Sequence, residues 1–186
     1  KMSADVDVLV LPEHIERAAA LLGELGYRLD VPATTVDLLP RWHGLSKESI
    51  WSGASDLVLE LHHRVADQPQ LLPALTACSR KRLVTIAPGI TLPTFADEEL
   101  VAYLCVHGAS SAWFRLKWIT DLAAILHGRS PAEIDALYER SQQLSAGRAA
   151  GQALLLAQRL FGLLLGEGLE KRLHRSWASR WLAEAA

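Results

Sequence analysis

Asp5 and Asp7 stand one residue apart at the start of an apolar run, DVDVLVL. Acidic residues are poor strand formers and are rarely buried without a partner. Because side chains alternate along a strand, both carboxylates should project from one face, roughly 7 Å apart. Two such groups can converge on a divalent cation, and a third can complete a two-metal site. Strand-start aspartates also cap turns or pair with arginine, so the pair alone leaves both interpretations open.

A third carboxylate, Glu60, lies in the later apolar stretch LVLELHH. Strand alternation places Val58, Glu60 and His62 on one face. Three clustered carboxylates would repel one another and favour uptake of a proton, whereas Mg²⁺ would keep them all ionised. His62 shares the face of Glu60 and could support a metal ligand or contact the acceptor. His63 points to the other face and cannot easily chelate the same ion.

The stretch WFRLKW offers cations beside aromatic rings. Lys117 and Arg115 could contact a triphosphate, and Trp113 or Trp118 could stack on a base. The alternative is an amphipathic helix whose tryptophans pack into the core while its cations reach solvent. In that case Asp121, four residues after Lys117, pairs with it on the helix surface.

Composition limits the classes of protein that the chain can be. It has 186 residues, half of them hydrophobic, and a net charge of −2, which argues against general DNA binding. The longest apolar region, GQALLLAQRLFGLLLG, is interrupted by polar residues and too short to span a bilayer. The two cysteines, Cys78 and Cys105, lie within apolar helix-like segments, which argues against a disulfide framework and favours a reducing compartment. We therefore expect a soluble cytoplasmic protein with no membrane partner.

The first half of the chain alternates strand and helix signals. Residues 5–11 predict a strand, Pro12 opens a helix that Gly26 ends, and YRLDV predicts a second strand. HGLSKESIW and DLVLELHHRV predict two more strands. LLPALTAC is interpreted as a short helix, and KRLVTIAPGITLPTF as one or two extended segments.

Helical signals dominate after Phe95. DEELVAYLCVHGAS and WFRLKWITDLAAILHG predict two helices, the second ending at Gly128. Ser130, Pro131 and Glu133 form the capping signature of a third helix. Two further helices are expected over residues 147–165 and 169–184. This organisation predicts an α/β domain over residues 1–95 and a helical domain over residues 96–186.

Three stretches together resemble the uncharacterised nucleotidyltransferase family: DVDVLVLPEHIERAAALLGELGYRLD, LVLELHHRV and HGASSAWFRLKWITDLAAIL. That family belongs to the superfamily of DNA polymerase beta and the minimal nucleotidyltransferases. Its members show an acidic-x-acidic strand, a helix ending in ELGY and a later strand ending in ELHW. The resemblance implies an α+β fold, in which a small mixed-sheet nucleotidyltransferase-like core precedes an all-helical C-terminal half.

The resemblance also implies a site and an activity. Asp5, Asp7 and Glu60 correspond to the three metal ligands and catalytic acids of the superfamily. The implied reaction moves a nucleoside monophosphate from a nucleoside triphosphate, ATP by default, to a hydroxyl acceptor with two Mg²⁺ ions. The acceptor is left open among a small molecule, a sugar, a peptide and RNA. Candidate nucleotide contacts are Arg115, Lys117 and His62.

The chain departs from the family pattern in two places. The superfamily places a Gly-Ser turn before the paired acids, where it holds the nucleotide phosphates, and this chain begins after that point. We therefore expect an incomplete N-terminus. His63 stands where the family has tryptophan after ELH. The alternative function is a non-catalytic nucleotide- or partner-binding module on the same fold.

Overall fold

A small mixed sheet opens the chain and helices follow it, which confirms the predicted α+β order. The computed structural model describes residues 5–32, 35–54 and 57–185. Contacts divide the chain into two compact units. One unit runs to Pro69 and includes Pro73–Cys78, and the other takes Gln70–Leu72 and the chain from Ser79 onward. The division into functional domains at residues 95 and 96 stays a prediction.

The first unit contains four strands and two α-helices in its described part. The strands are β1 (Asp5–Leu9), β2 (Arg28–Val31), β3 (Glu48–Ser52) and β4 (Val58–His62). The helices are α1 (Ile15–Glu24) and α2 (Leu39–Leu45), preceded by 3₁₀ turns at Pro12–His14 and Val36–Leu38. As predicted, the chain turns into a helix at Pro12, and Gly26 follows α1 with a φ of 83°.

The strands of the first unit form one sheet in the order β1-β4-β3-β2. Strand β1 runs parallel to β4, and the other neighbouring pairs are antiparallel. One sheet face is apolar and packs against both helices, as its core residues show: Ile15, Ala19, Leu22, Leu39, Trp51 and Leu61. Strand alternation therefore turns the carboxylates of β1, β3 and β4, together with His62, to the opposite face.

Three expectations for this part of the chain were wrong in detail. Strand β1 ends at Leu9 rather than Leu11. The first residues of HGLSKESIW end helix α2, and the strand begins at Glu48, whose carbonyl accepts a hydrogen bond of 2.6 Å from Trp42 Nε1. LLPALTAC forms turns instead of a helix, because Leu72 has a φ of 54° and Pro73 follows it.

The second unit begins with a hairpin and continues with helices. Its strands are β5 (Lys81–Ala87) and β6 (Ile90–Phe95). Its helices are α3 (Asp97–Ser110), α4 (Leu116–Leu126), α5 (Pro131–Gln143), α6 (Gly147–Phe161), α7 (Glu167–Arg175) and α8 (Trp177–Ala185). Their apolar faces share one core, which includes Ile119, Leu122, Ile134, Ala153 and Leu173.

The predicted helices over 113–128 and 147–165 are shorter than expected. Helix α4 begins only at Leu116, because Trp113 has a φ of 52° and donates its backbone N–H to the carbonyl of Gly108. The indole lies so close to Gly108 that a Cβ atom there would lie 2.2 Å from the ring. Helix α6 ends at Phe161, because Gly162 adopts a left-handed conformation.

The single helix predicted over 169–184 is wrong, because the chain forms α7 and α8 with a break at Ser176. Ser176 ends α7 with extended backbone angles, and its Oγ accepts a hydrogen bond from the backbone N–H of Ser179. In the described part of the chain, no helix has the length and apolar character needed to cross a membrane.

Candidate functional site

The parallel pairing of β1 with β4 brings two of the predicted acids together. Asp7 is the register partner of Glu60, so their side chains leave the same sheet face on neighbouring strands. This face is opposite to the one that packs against α1 and α2. The apolar core therefore fixes which way the two carboxylates point.

His62 completes a compact group of ligand atoms with these acids. Its Nε2 atom lies 3.4 Å from Oε2 of Glu60 and 3.9 Å from Oδ1 of Asp7. One potential ligand atom from each of the three residues lies within 4.8 Å of the others. The imidazole is buried, with 5% of its side chain exposed, and Nε2 has no hydrogen-bond partner among the described residues.

Asp5 occupies a different position from the other two acids. It pairs in register with Val58, one alternation before Asp7, whereas Asp7 pairs with Glu60; both aspartates are exposed. Among the residues that the structure describes, the compact group of ligand atoms comprises Asp7, Glu60 and His62. The predicted role of Asp5 as a third carboxylate ligand stays a prediction.

Glu48 and Lys47 are site residues that the sequence reasoning missed. Glu48 begins β3 as the register partner of His62, and its Oε2 atom lies 3.3 Å from His62 Nε2. Lys47 Nζ lies 2.6 Å from the same carboxylate oxygen. In the stretch KESIW, alternation places Glu48 on the same strand face as Ile50, and this charged residue was the available sign of a site residue. The antiparallel register of β3 with β4, which gives that signal its meaning, could not be read from the sequence.

The electrostatics of the site favour an added positive charge. Burial raises the pKa of Asp7 above its usual value, and the nearby Glu60 and Asp5 carboxylates raise it further. His62 and Lys47 act in the opposite direction without cancelling the rise. A divalent cation between these groups would stabilise the ionised carboxylates.

The donor atoms of Asp7, Glu60 and His62 fit a divalent metal ion. Ligand atoms held at about 2.1 Å from an ion lie roughly 3 to 4.2 Å from one another. The distances from His62 Nε2 to the two carboxylates fall in this range. The buried ring nitrogen without a hydrogen-bond partner in the described ranges adds a second sign that a ligand belongs there.

His63 has a separate environment, as its position on the strand predicts. Its Nε2 atom lies 2.8 Å from the backbone carbonyl oxygen of His43. Burial, reinforced by His43 and Arg64, lowers the pKa of His63 to about 4. His63 therefore stays neutral at physiological pH and packs within the first unit.

The two predicted nucleotide contacts in WFRLKW lie in the second unit. Lys117 Nζ lies 2.8 Å from Oδ2 of Asp121, the surface pair that the alternative interpretation predicted. The Arg115 guanidinium lies over Phe114 and Trp118, at 5.2 and 5.7 Å from the ring centroids. Binding of a triphosphate by these residues stays a prediction.

Comparison with known proteins gives one result. No curated protein and no solved structure matches the chain significantly. A family model described as an uncharacterised nucleotidyltransferase matches residues 1–162, which include β1, β4 and the group formed by Asp7, Glu60 and His62. This match covers most of the chain, and the chain therefore belongs to the uncharacterised nucleotidyltransferase family.

Proposed function

We propose that the protein is a metal-dependent nucleotidyltransferase that moves a nucleoside monophosphate from a nucleoside triphosphate to a hydroxyl acceptor. The family itself points to nucleotidyl transfer in general. The observation that carries the proposal is the parallel register of Asp7 with Glu60, on a sheet face that the core leaves to polar residues. Clustered carboxylates on one face are the arrangement that divalent-metal phosphoryl chemistry requires.

The acids have distinct proposed roles. Asp5, Asp7 and Glu60 would hold two Mg²⁺ ions, which when bound supply charge stabilisation for the triphosphate and activation of the acceptor hydroxyl. Glu60, on the second strand of the pair, is the proposed proton acceptor for that hydroxyl. Lys117 and Arg115 are the proposed cationic contacts of the triphosphate.

The donor and acceptor are defined here by chemical class. ATP is the first donor to test, and the acceptor class is a hydroxyl on a small molecule, a sugar, a peptide or RNA. We place the reaction in the cytoplasm, because the free thiols of Cys78 and Cys105 suit a reducing compartment.

The first experiment measures the melting temperature of the protein with each nucleoside triphosphate, with and without Mg²⁺. A ligand at 100 times its Kd stabilises the folded state by about 2.7 kcal/mol, which raises the melting temperature by several degrees. Asp7→Asn removes the charge but keeps the size of the side chain, so it should abolish the Mg²⁺-dependent rise. Asp37→Asn is the matched control, because this exposed residue lies beside α1, on the helix side of the sheet.

Turnover is measured next, as pyrophosphate released with candidate acceptors. Release that requires Mg²⁺ and is lost in Asp7→Asn but kept in Asp37→Asn supports the proposed reaction. A nucleotide-dependent melting shift without pyrophosphate release from any acceptor favours the non-catalytic binding module. Equal melting shifts in Asp7→Asn and the unmodified protein would refute the assignment of the site to this face.

A further inference from the structure

We infer that His62 is a direct metal ligand beside Asp7 and Glu60, and that this mixed nitrogen and oxygen site selects a first-row transition-metal ion over Mg²⁺. The inference deepens the proposed function and rests on its metal site. Of the two ions in the proposed function, the one held by Asp7, Glu60 and His62 would then be a transition-metal ion that belongs to the protein, and the other would be Mg²⁺ that enters with the triphosphate. The assignment departs from the all-carboxylate site that the sequence predicts.

The donor atoms of His62, Glu60 and Asp7 lie at the separations expected of ligands to one metal ion. His62 Nε2 lies 3.4 Å from Glu60 and 3.9 Å from Asp7, on one sheet face. The charge-assisted N–H···O bonds of an imidazolium are typically about 2.7 to 2.9 Å long. The observed separations exceed that length, but they match donor atoms that surround one ion at about 2.1 Å.

The burial of the His62 side chain also indicates that its ring nitrogen binds a ligand. With 5% of its side chain exposed, the ring has little access to water that could satisfy Nε2. That nitrogen also makes no hydrogen bond in the part of the chain that the structure describes, although carboxylate oxygens of Glu48 and Glu60 lie 3.3 and 3.4 Å from it and one of Asp7 lies at 3.9 Å. A buried ring nitrogen that makes no hydrogen bond costs free energy, and a metal ion bound to Nε2 would remove this cost.

The preference for a transition-metal ion over Mg²⁺ follows from the nitrogen donor of His62. Mg²⁺ prefers oxygen ligands and retains much of its water, whereas imidazole nitrogen favours later first-row ions such as Co²⁺, Ni²⁺ and Zn²⁺. Mn²⁺ lies at the low-affinity end of the same series, so a preference of the site for Mn²⁺ over Mg²⁺ is the most stringent test of the nitrogen donor. The ion pair of Lys47 with Glu48 neutralises a carboxylate beside the ring, so that this acid adds less attraction for a hard cation. The nitrogen donor of His62 therefore sets the preference of the site.

The test uses Mn²⁺ alone with the metal-free full chain. Calorimetric titrations give the Mn²⁺ and Mg²⁺ affinities, and pulsed EPR of bound Mn²⁺ detects magnetic coupling to a directly bound ¹⁴N nucleus. His62→Gln exchanges the nitrogen donor for an oxygen donor, so it should weaken Mn²⁺ binding at least about tenfold and change Mg²⁺ binding much less. His14→Gln is the control, because this histidine of the first unit is exposed.

A ¹⁴N coupling in the unmodified protein that disappears in His62→Gln and persists in His14→Gln supports the inference. If His62→Gln fails to fold, the unmodified protein still shows whether a nitrogen atom binds the ion, and His62 is the histidine whose ring nitrogen lies with the carboxylates of Asp7 and Glu60. Bound Mn²⁺ without ¹⁴N coupling overturns the inference but leaves nucleotidyl transfer at an all-carboxylate site intact. No binding of Mn²⁺ also overturns it, and the separate Mg²⁺–triphosphate melting shift then decides the proposed function.

Discussion

Glu48 is a carboxylate beside the proposed metal ligands, and its effect on metal binding can be measured separately from theirs. Its carboxylate lies between Lys47 and His62, at 2.6 and 3.3 Å. Glu48→Gln removes a negative charge and leaves the Lys47 ammonium without this partner. Both changes disfavour a divalent cation, so we expect Mn²⁺ affinity to fall about tenfold, as for other residues beside metal ligands. Calorimetric titration measures the change.

Glu24→Gln is the matched control for this variant, because Glu24 is an exposed residue of α1, which packs on the other face of the sheet. Its Mn²⁺ affinity should equal that of the unmodified protein. An unchanged affinity in a folded Glu48→Gln variant would show that Glu48 and Lys47 lie near the site without influencing it.

The sequence predicts residue types and faces better than it predicts distances. Glu60 could be found because a carboxylate in an apolar alternating run is unusual, and alternation placed His62 beside it. That Asp7, rather than Asp5, faces Glu60 depends on the register of β1 with β4, which links residues more than fifty positions apart. Glu48 was missed for the same reason, since it joins the site through the register of β3 with β4.

Among the elements, helix α5 shows how far local signals extend. The Ser130 hydroxyl accepts a hydrogen bond from the Glu133 N–H, and the Glu133 carboxylate accepts one from the Ser130 N–H, so the predicted capping box is confirmed. Ser130→Ala removes half of this arrangement and should lower the free energy of unfolding by about 1 kcal/mol. Denaturant titration followed by circular dichroism measures it.

The same variant has an expected pH dependence. Hydrogen bonds from the Ser130 side chain and backbone lower the pKa of Glu133 below its ordinary value of 4.5. The stabilisation that these hydrogen bonds give to the ionised Glu133 carboxylate is fully present above pH 4.5 and is lost as the pH falls through the lowered pKa of Glu133. The difference between Ser130→Ala and the unmodified protein should therefore shrink in acid. Ser110→Ala, exposed in the last turn of α3, should show neither effect.

Elements that depend on distant packing could not be bounded from the sequence. The start of α4 is set by Trp113, which folds back onto Gly108 and forces a turn into a segment with helical periodicity. The break between α7 and α8 at Ser176 lies inside a continuous amphipathic pattern. Local propensity favoured one helix at each place, but Trp113 is buried in the helical core and Ser176 caps the next helix through Ser179.

For the whole molecule, the proposed metal ligands and the buried carboxylate of Glu99 belong to different units, so we expect metal binding and the stability of the helices to be separable. Asp7, Glu48, Glu60 and His62 all belong to the first unit, so Mn²⁺ alone should bind through that unit's residues. In the second unit, the side chain of Glu99 is 1% exposed and lies 2.9 Å from Arg140 and 3.3 Å from Arg80.

Glu99→Gln tests this separation. It replaces a buried carboxylate by a neutral amide beside two guanidinium groups, so we expect the free energy of unfolding of the second unit to fall by about 1 to 3 kcal/mol. Glu98→Gln, at the more exposed neighbour that pairs with Arg80, should cost less than about 1 kcal/mol. Mn²⁺ affinity, measured well below the unfolding temperature, should be unchanged in both variants. A weaker affinity in folded Glu99→Gln would contradict the separation and show that the helical unit contributes to the metal site.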